Sequence, residues 1–512
     1  CFDGVVYACE IYVNGHFAGR HDWGYSPFQV RVTGMLAKTN RVFVLVENHL
    51  KADRVPGEVY DWNNDGGIIN PVKLVFVPHV HIENFRTRTT LEGDTAVITV
   101  ETHLASRDAR AKENVTVRIP ELGLSATEPV SVGTPATVAF SVPRSKITLW
   151  DTDTPKLYAV QLSTRFETIA DDIGFREVRT EGKNIMLNGK PVRLYGICVH
   201  AEYKDTGRTA TPEGIDLLIR SAKELGVNFV RCAHYPYSDA FARAMDRAGL
   251  MWWEETPAYW LGNMGDPGQT RLACGILEDA IRRDWNRASL IIWSISNECC
   301  YRNPDNPDQN NYPYWFTVAP MVRRLDPSRL ISCAEAGNWV ASRPIWNPGQ
   351  ADEFHRKVED APYWRLVHSD EWHSLIDVFA ANLYLEPGEA EVVYKRYAEL
   401  LGRYGKPMIL SEFGSASLRG AKVPADVLGS EERHASVLRD SYAAFAKVAD
   451  ITGYCPWSLT DVRVPIHWRW MNEGKGVFRY GMMDENYVKK ETVFGALKQC
   501  IADLKAHWAR RG

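Results

Sequence analysis

The chain has no apolar run approaching the ~20 residues that a membrane-crossing helix needs, so the sequence excludes a helical span. Charge of one sign is scarce. The formal net charge is −4, too little to argue for nucleic acid or a charged membrane surface as a partner. The ten cysteines lack paired metal-ligand spacing. Cys299 and Cys300 are adjacent, and Cys198, Cys232, Cys333 and Cys455 sit inside apolar runs. That pattern predicts buried thiols rather than a disulfide framework, and with them a reducing, cytoplasmic compartment. No signal peptide is visible, and CFDGVVYACEIYVNG already reads as strands in mid-fold. Nothing in the sequence calls for a cofactor.

What is present is an ordinary globular composition, 45% hydrophobic and 24% charged, over 512 residues. Two or more domains are expected, because single cores stop growing at roughly 250–300 residues. Residues 1–84 read as all-β, with two alternating strands around Asn14-Gly15 and further strands at NRVFVLVEN and PVKLVFVPHVHI. Residues 85–178 continue as short alternating strands (TAVITVETHL, VTVRI, ATVAFSV, KLYAVQLSTRF) at the spacing of a second sandwich. From residue 179 the rhythm becomes strand-then-helix. PVRLYGICVH, NFVRCAHYP, MWWEETPA, SLIIWSISNE, RLISCAEA, LIDVFAANLY, PMILSEFG and ITGYCPWSL give eight strand candidates, most with a following helix. The count predicts a (β/α)8 barrel over 179–512, with its site at the C-terminal ends of the strands.

Two of those runs end in glutamate, Glu298 on the fourth and Glu412 on the seventh. Either alone reads equally as an exposed loop residue or a helix cap. Two facing one barrel mouth are the equipment for breaking a glycosidic bond, one giving a proton and the other meeting the sugar cation. Asn297 before Glu298, and Phe413-Gly414 after Glu412, add context. Seventeen Trp and 22 Tyr supply flat rings of the kind that pack on sugar faces, although most must be core. The stretch 337–374, rich in Trp, Asp and His, reads as a loop insertion over the mouth.

Several motifs in order resemble glycoside hydrolase family 2, the family of β-glucuronidases, β-galactosidases and β-mannosidases. They are DWNNDGGIINPV (61–72), LWDTDTPKLY (149–158), GFREV (174–178), LNGKPVRLYG (187–196), RCAHYPYSDAF (231–241), WSISNE (293–298) and SEFG (411–414). The resemblance implies a partial jelly-roll, sugar-binding-like domain over 1–84, an immunoglobulin-like sandwich over 85–178 and a catalytic TIM barrel over 179–512. Family members usually carry more jelly-roll strands at the start, so the first domain is expected to be truncated.

The resemblance also implies roles. Glu298 is the acid/base and Glu412 the nucleophile of a retaining exo-glycosidase. Asn297 binds the sugar 2-OH, and Tyr384 hydrogen-bonds the nucleophile. Trp457 walls the sugar pocket, and Asp61 either reaches it from the first domain or is a turn residue before Trp62-Asn63-Asn64. His200 and His234 are substrate-binding candidates by their own positions at the ends of the first two strands. Lys475, with Asn472, resembles the pair that holds a uronate carboxylate in β-glucuronidases. Here Asn472 lies three residues before Lys475 rather than two, and Glu473 takes the Asn place. Arg463 and Arg469 could join Lys475 in a cationic site, Arg being suited to bidentate grip on a carboxylate. The Glu-x-His of metal-dependent β-galactosidases is missing from EETPAYW (254–260), so no metal is implied. The expected partner is a carbohydrate or glycoside conjugate, leaning to a β-glucuronide, with a neutral β-galactoside as runner-up. A non-catalytic carbohydrate-binding protein is the alternative of another class. Homo-oligomers are common in the family, but the sequence identifies no interface.

Overall fold

The computed structural model describes residues 1–58, 60–260, 262–299, 311–336, 369–465 and 476–511. In the first domain Ala8–Val13 and His16–His21 pair antiparallel across Asn14-Gly15, whose φ values of 52° and 83° suit this dipeptide. Val42–Glu47 adds to the other edge of Ala8–Val13, and Val5–Val6 pairs with Gly67–Ile68. The strand expected over PVKLVFVPHVHI forms only at its far end. Beyond a bridge between Phe2 and Val72, residues 73–80 lack a ladder, and the apolar side chains Val72–Val77 lie exposed. An alternating apolar run becomes a strand only where another edge takes up its amides, and here the chain start does so at Lys73, whose amide donates to Cys1 O at 2.9 Å, without a ladder following.

The second domain is a sandwich of a three-stranded sheet (Ala136–Pro143, Thr95–Ala105, His81–Glu92) on a four-stranded one (Thr168–Ile173, Tyr158–Ser163, Lys112–Ile119, Leu124–Ser131). Their alternating inward residues, among them Ile98, Val100, Val117, Val160 and Leu162, form a separate core. The strand His81–Glu92 runs through residue 85.

The barrel closes in sequence order from eight parallel strands: β1 (Leu194–Val199), β2 (Phe229–Cys232), β3 (Met251–Glu255), β4 (Leu290–Asn297), β5 (Leu330–Ala336), β6 (Val378–Asn382), β7 (Met408–Glu412) and β8 (Ile451–Tyr454). Every strand falls inside a run read from the sequence. Near-continuous apolar character is what burial on both faces demands. Local capping signals mark helix starts: Thr211 before Pro212–Glu224, Ser238 before Asp239–Ala248, Asp266 before Pro267–Asp284 and Ser430 before Glu431–Phe445 each accept an orphan amide. Residues 337–368 of the expected loop insertion lie outside the described residues. Its last part is a short helix, Asp370–Leu375, capped by Ser369. Among the described residues no helix is long and apolar enough to cross a membrane.

The floor of the barrel is plugged from the second domain and from the meander that follows it. Trp150, Val178, Ile185 and Leu187 pack with the inward side chains Leu194, Phe229, Trp253 and Ile292. Arg176 donates to the carbonyls of Ala288 (3.0 Å) and Leu290 (2.8 Å) at the foot of β4. A closed floor leaves the C-terminal mouth as the open end.

Candidate active site

Glu412 closes β7 and is 6% exposed. Both its oxygens are taken: Arg231 Nη1 donates to Oε1 at 2.6 Å and the Tyr384 hydroxyl to Oε2 at 2.7 Å. Glu298 stands one residue past β4, where φ turns to +53° and its amide donates to Ala334 O at 2.8 Å. Its half-buried carboxyl accepts one hydrogen bond, from Asn382 Nδ2 at 2.8 Å. Burial, and next the Glu412 charge, push it up to about 8, against the opposing pull of Asn382. The two mouth carboxylates are thus unequal: one is held by a cation and a phenol, the other is set to keep its proton at neutrality.

Asn297 is the last residue of β4 and is 2% exposed. Its Oδ1 accepts from Arg231 (2.8 Å) and Asn382 (3.1 Å). His200 lies one residue past β1 with Nδ1 2.9 Å from the Tyr235 hydroxyl, and burial followed by the nearby His234 pushes its pKa well below the ordinary range. His234 lies two residues past β2. Its ring stacks on Trp457 at 5.3 Å, and Trp457, three residues past β8, meets His200 edge-on at 5.2 Å. The three side chains line one wall.

The first domain enters the mouth through Asp61-Trp62-Asn63. Trp62 is wholly buried, with ring centroids 5.1–6.1 Å from Tyr259, Tyr235, His234 and His200. Asn63 donates to Arg463 O (2.8 Å) and accepts from Arg208 (2.6 Å). Burial pushes the Asp61 carboxyl up, while His234 and Tyr259 oppose that rise. The structure therefore brings Glu298, Glu412, Asn297, Tyr384, His200, His234, Trp457 and Asp61 to one mouth.

One expectation differs. Arg463 does not stand as a cationic site: its guanidinium pairs with Glu202 at 2.5 Å and its backbone amide donates to the same carboxylate. A half-buried arginine beside a buried carboxylate is held by it rather than left for a ligand. Asn472 and Lys475, with Arg469 and Glu473, lie outside the described residues. Among the described residues no group of three or more His, Cys, Asp or Glu could hold a metal ion.

Residues that the sequence reading passed over complete the site. Arg231 is fully buried between Glu412, Asn297 and Glu255, and Asn382 bridges Asn297 and Glu298. A signal existed: a charged residue inside the apolar run NFVRC must have a buried partner.

A closed parallel barrel with two unequal carboxylates at its C-terminal mouth places the protein among barrel proteins whose site lies at the strand ends. The chain belongs to glycosyl hydrolase family 2. The family's TIM barrel domain matches residues 178–443, and a second family 2 domain matches residues 80–176. A putative beta-glucuronidase from Formosa agariphila is 25% identical over 511 residues, covering 95% of this chain and 56% of that protein. A beta-galactosidase from Thermoanaerobacterium thermosulfurigenes is 26% identical over 349 residues, covering 64% of this chain and 47% of its own. The chain thus spans about half the length of these two curated relatives. The crystal structure of a GH2 beta-galacturonidase from Eisenbergiella tayi bound to galacturonate shares the fold with a TM-score of 0.82 at 23% identity, covering 98% of this chain and 86% of that one.

Proposed function

We propose that the protein hydrolyses terminal β-glycosides with retention, Glu412 acting as nucleophile and Glu298 as acid and then base. The observation that carries this reading is the inequality of the two carboxylates. Glu412, gripped by Arg231 and Tyr384, has both oxygens hydrogen-bonded and is fixed at the mouth. Glu298, pushed up to about 8, has a proton to give at neutral pH. In the first step a Glu412 oxygen bonds to the anomeric carbon as the bond to the leaving oxygen breaks, and the Glu298 proton passes to that oxygen. The ester removes the Glu412 charge that helped to hold the Glu298 proton, so Glu298 is left ionised. It then takes a proton from water as the water oxygen displaces Glu412. Asn297, Tyr384, His200, His234, Trp457 and Asp61 surround the sugar.

The substrate reading is a β-uronide, leaning to glucuronide. It is supported by Lys475 and by the names of the relatives, a beta-glucuronidase and a beta-galacturonidase. A neutral β-galactoside is the second reading, favoured by the engagement of Arg463 with Glu202 and by a relative named beta-galactosidase. A panel of nitrophenyl β-glucuronide, galacturonide, galactoside, glucoside and mannoside separates the two. Preference for the galactoside removes the uronide reading. For the mechanism, a 2-deoxy-2-fluoro glycoside with a good leaving group should leave its sugar on Glu412, seen by intact mass and peptide mapping. Inverted product with no label overturns it.

A further inference from the structure

We propose that Glu255 is a positioning residue for the nucleophile, aiming Arg231 and His234 at the same oxygen of Glu412. The mechanism above does not use Glu255, yet it is a fully buried carboxylate at the C-terminal end of β3. Four donors converge on it. His234 Nδ1 lies 2.7 Å from Oε1, while Ser294 Oγ (2.6 Å), Trp253 Nε1 (3.0 Å) and Arg231 Nη2 (3.3 Å) address Oε2. Two of the four continue to the nucleophile. Arg231 Nη1 reaches Glu412 Oε1 at 2.6 Å, and His234 Nε2 faces that oxygen at 3.9 Å.

The chemistry of each arm follows. Burial alone would push the Glu255 carboxyl up, but Arg231, His234 and Ser294 hold it down to about 2, so it is ionised at any working pH and can only accept. The proton in the 2.7 Å contact therefore sits on His234 Nδ1. The imidazole is locked with Nε2 toward the mouth, as a buried carboxylate locks the imidazole of a catalytic triad. The other arm is an ion pair. A guanidinium with no exposure, stacked over Trp253 at 5.2 Å, has its fork divided between Glu255 on one side and Glu412 and Asn297 on the other. Without the Glu255 charge the fork is free to turn wholly onto its remaining partners, and the approach line of Glu412 shifts with it.

A purely structural counter-charge would affect stability alone, so the test reads two other quantities. The inference rests on Glu412 as nucleophile, and the first readout is the rate at which Glu412 is labelled by the fluoro glycoside. Glu255→Gln, equal in length, should label about 100-fold more slowly, the loss expected of a small misplacement of reacting groups. In a background of Arg231→Lys with His234→Asn the same change should cost little further, because the residues through which it acts are already altered. The second readout is 15N NMR of labelled histidine, assigned with His234→Asn: the protein should show His234 protonated at Nδ1, and Glu255→Gln should lose that preference. A Gln variant that labels at the parent rate with the tautomer unchanged overturns the proposal, as does full additivity in the cycle. If Glu255→Gln does not fold, Ser294→Ala removes the shortest of the three contacts to Glu255 Oε2 and keeps the charge. It should slow labelling several-fold, and an unchanged rate is equally fatal. Absence of label on Glu412 in the parent protein defeats the functional reading instead, since the tautomer reports on Glu255 whatever the reaction.

Discussion

The Asn382 amide donates to Glu298 Oε1 at 2.8 Å, so the carboxyl that follows β4 is oriented from the end of β6. Asn382 is itself fixed by Ser411 of β7, whose hydroxyl donates to its Oδ1 at 2.7 Å. Glu298 is thus aimed by the strand that pairs with the one carrying Glu412. Glu298 and Glu412 are set on one rigid support, which favours a constant separation.

Removing the Glu298 carboxyl should separate substrates by leaving group. Glu298→Ala should lose most activity on poorly activated aryl glycosides and much less on dinitrophenyl glycosides, which need little protonation. Azide should restore rate and yield a β-glycosyl azide. Equal losses on both substrates, with no azide product, remove Glu298 from the role.

The raised Glu298 carboxyl sets the sign of two pH effects. Loss of its proton around 8 should give the alkaline limb of kcat/KM, and Glu298→Gln should lack that limb on activated substrates. For stability, the unfolded glutamate releases its proton near the ordinary 4.5 while the folded one holds it to about 8. Between those values the folded state binds more protons, so this group makes stability fall as pH rises from about 4.5 to about 8. Glu298→Gln should gain on the parent protein through that window and match it below. Denaturant midpoints across pH read this directly, and a constant difference at all pH values contradicts it.

Trp62 couples the first domain to the mouth. Trp62→Ala removes a fully buried indole and should cost about 3–5 kcal/mol of stability. It should also raise KM, because Asp61 is next in the chain and loses its anchor. An unchanged unfolding midpoint would show that the loop is held by Asn63, Arg208 and Arg463 alone.

Lys475 tests the sugar. On a nitrophenyl β-uronide, Lys475→Ala should cost roughly 2–5 kcal/mol by leaving a substrate carboxylate unpaired. On a galactoside it should matter far less. Similar losses on both would show that Lys475 shapes the loop and does not meet the substrate.

The sequence by itself determined the barrel. Strands buried on both faces must be apolar almost throughout, and that requirement is written locally in LIIWSISN, MILSE and their six counterparts. The position of Glu298 and Glu412 at strand ends followed from the same runs, and the Asn14-Gly15 hairpin from one dipeptide. The tertiary structure alone decided how the mouth is wired. Arg231 and Glu412 are 181 residues apart, and Arg463 and Glu202 are 261 apart. Nothing in the local pattern says that the first arginine steadies Glu412 at the mouth while the second is spent on a neighbouring carboxylate. Likewise the surroundings of Trp62, among His234, Tyr235 and Tyr259, exist only once the first domain packs on the barrel. Hydrophobic periodicity is a property of neighbours in the chain, and it fixes elements. Charge pairing and proton affinity depend on which strand ends meet and how deeply they are buried, which is settled only when the barrel closes.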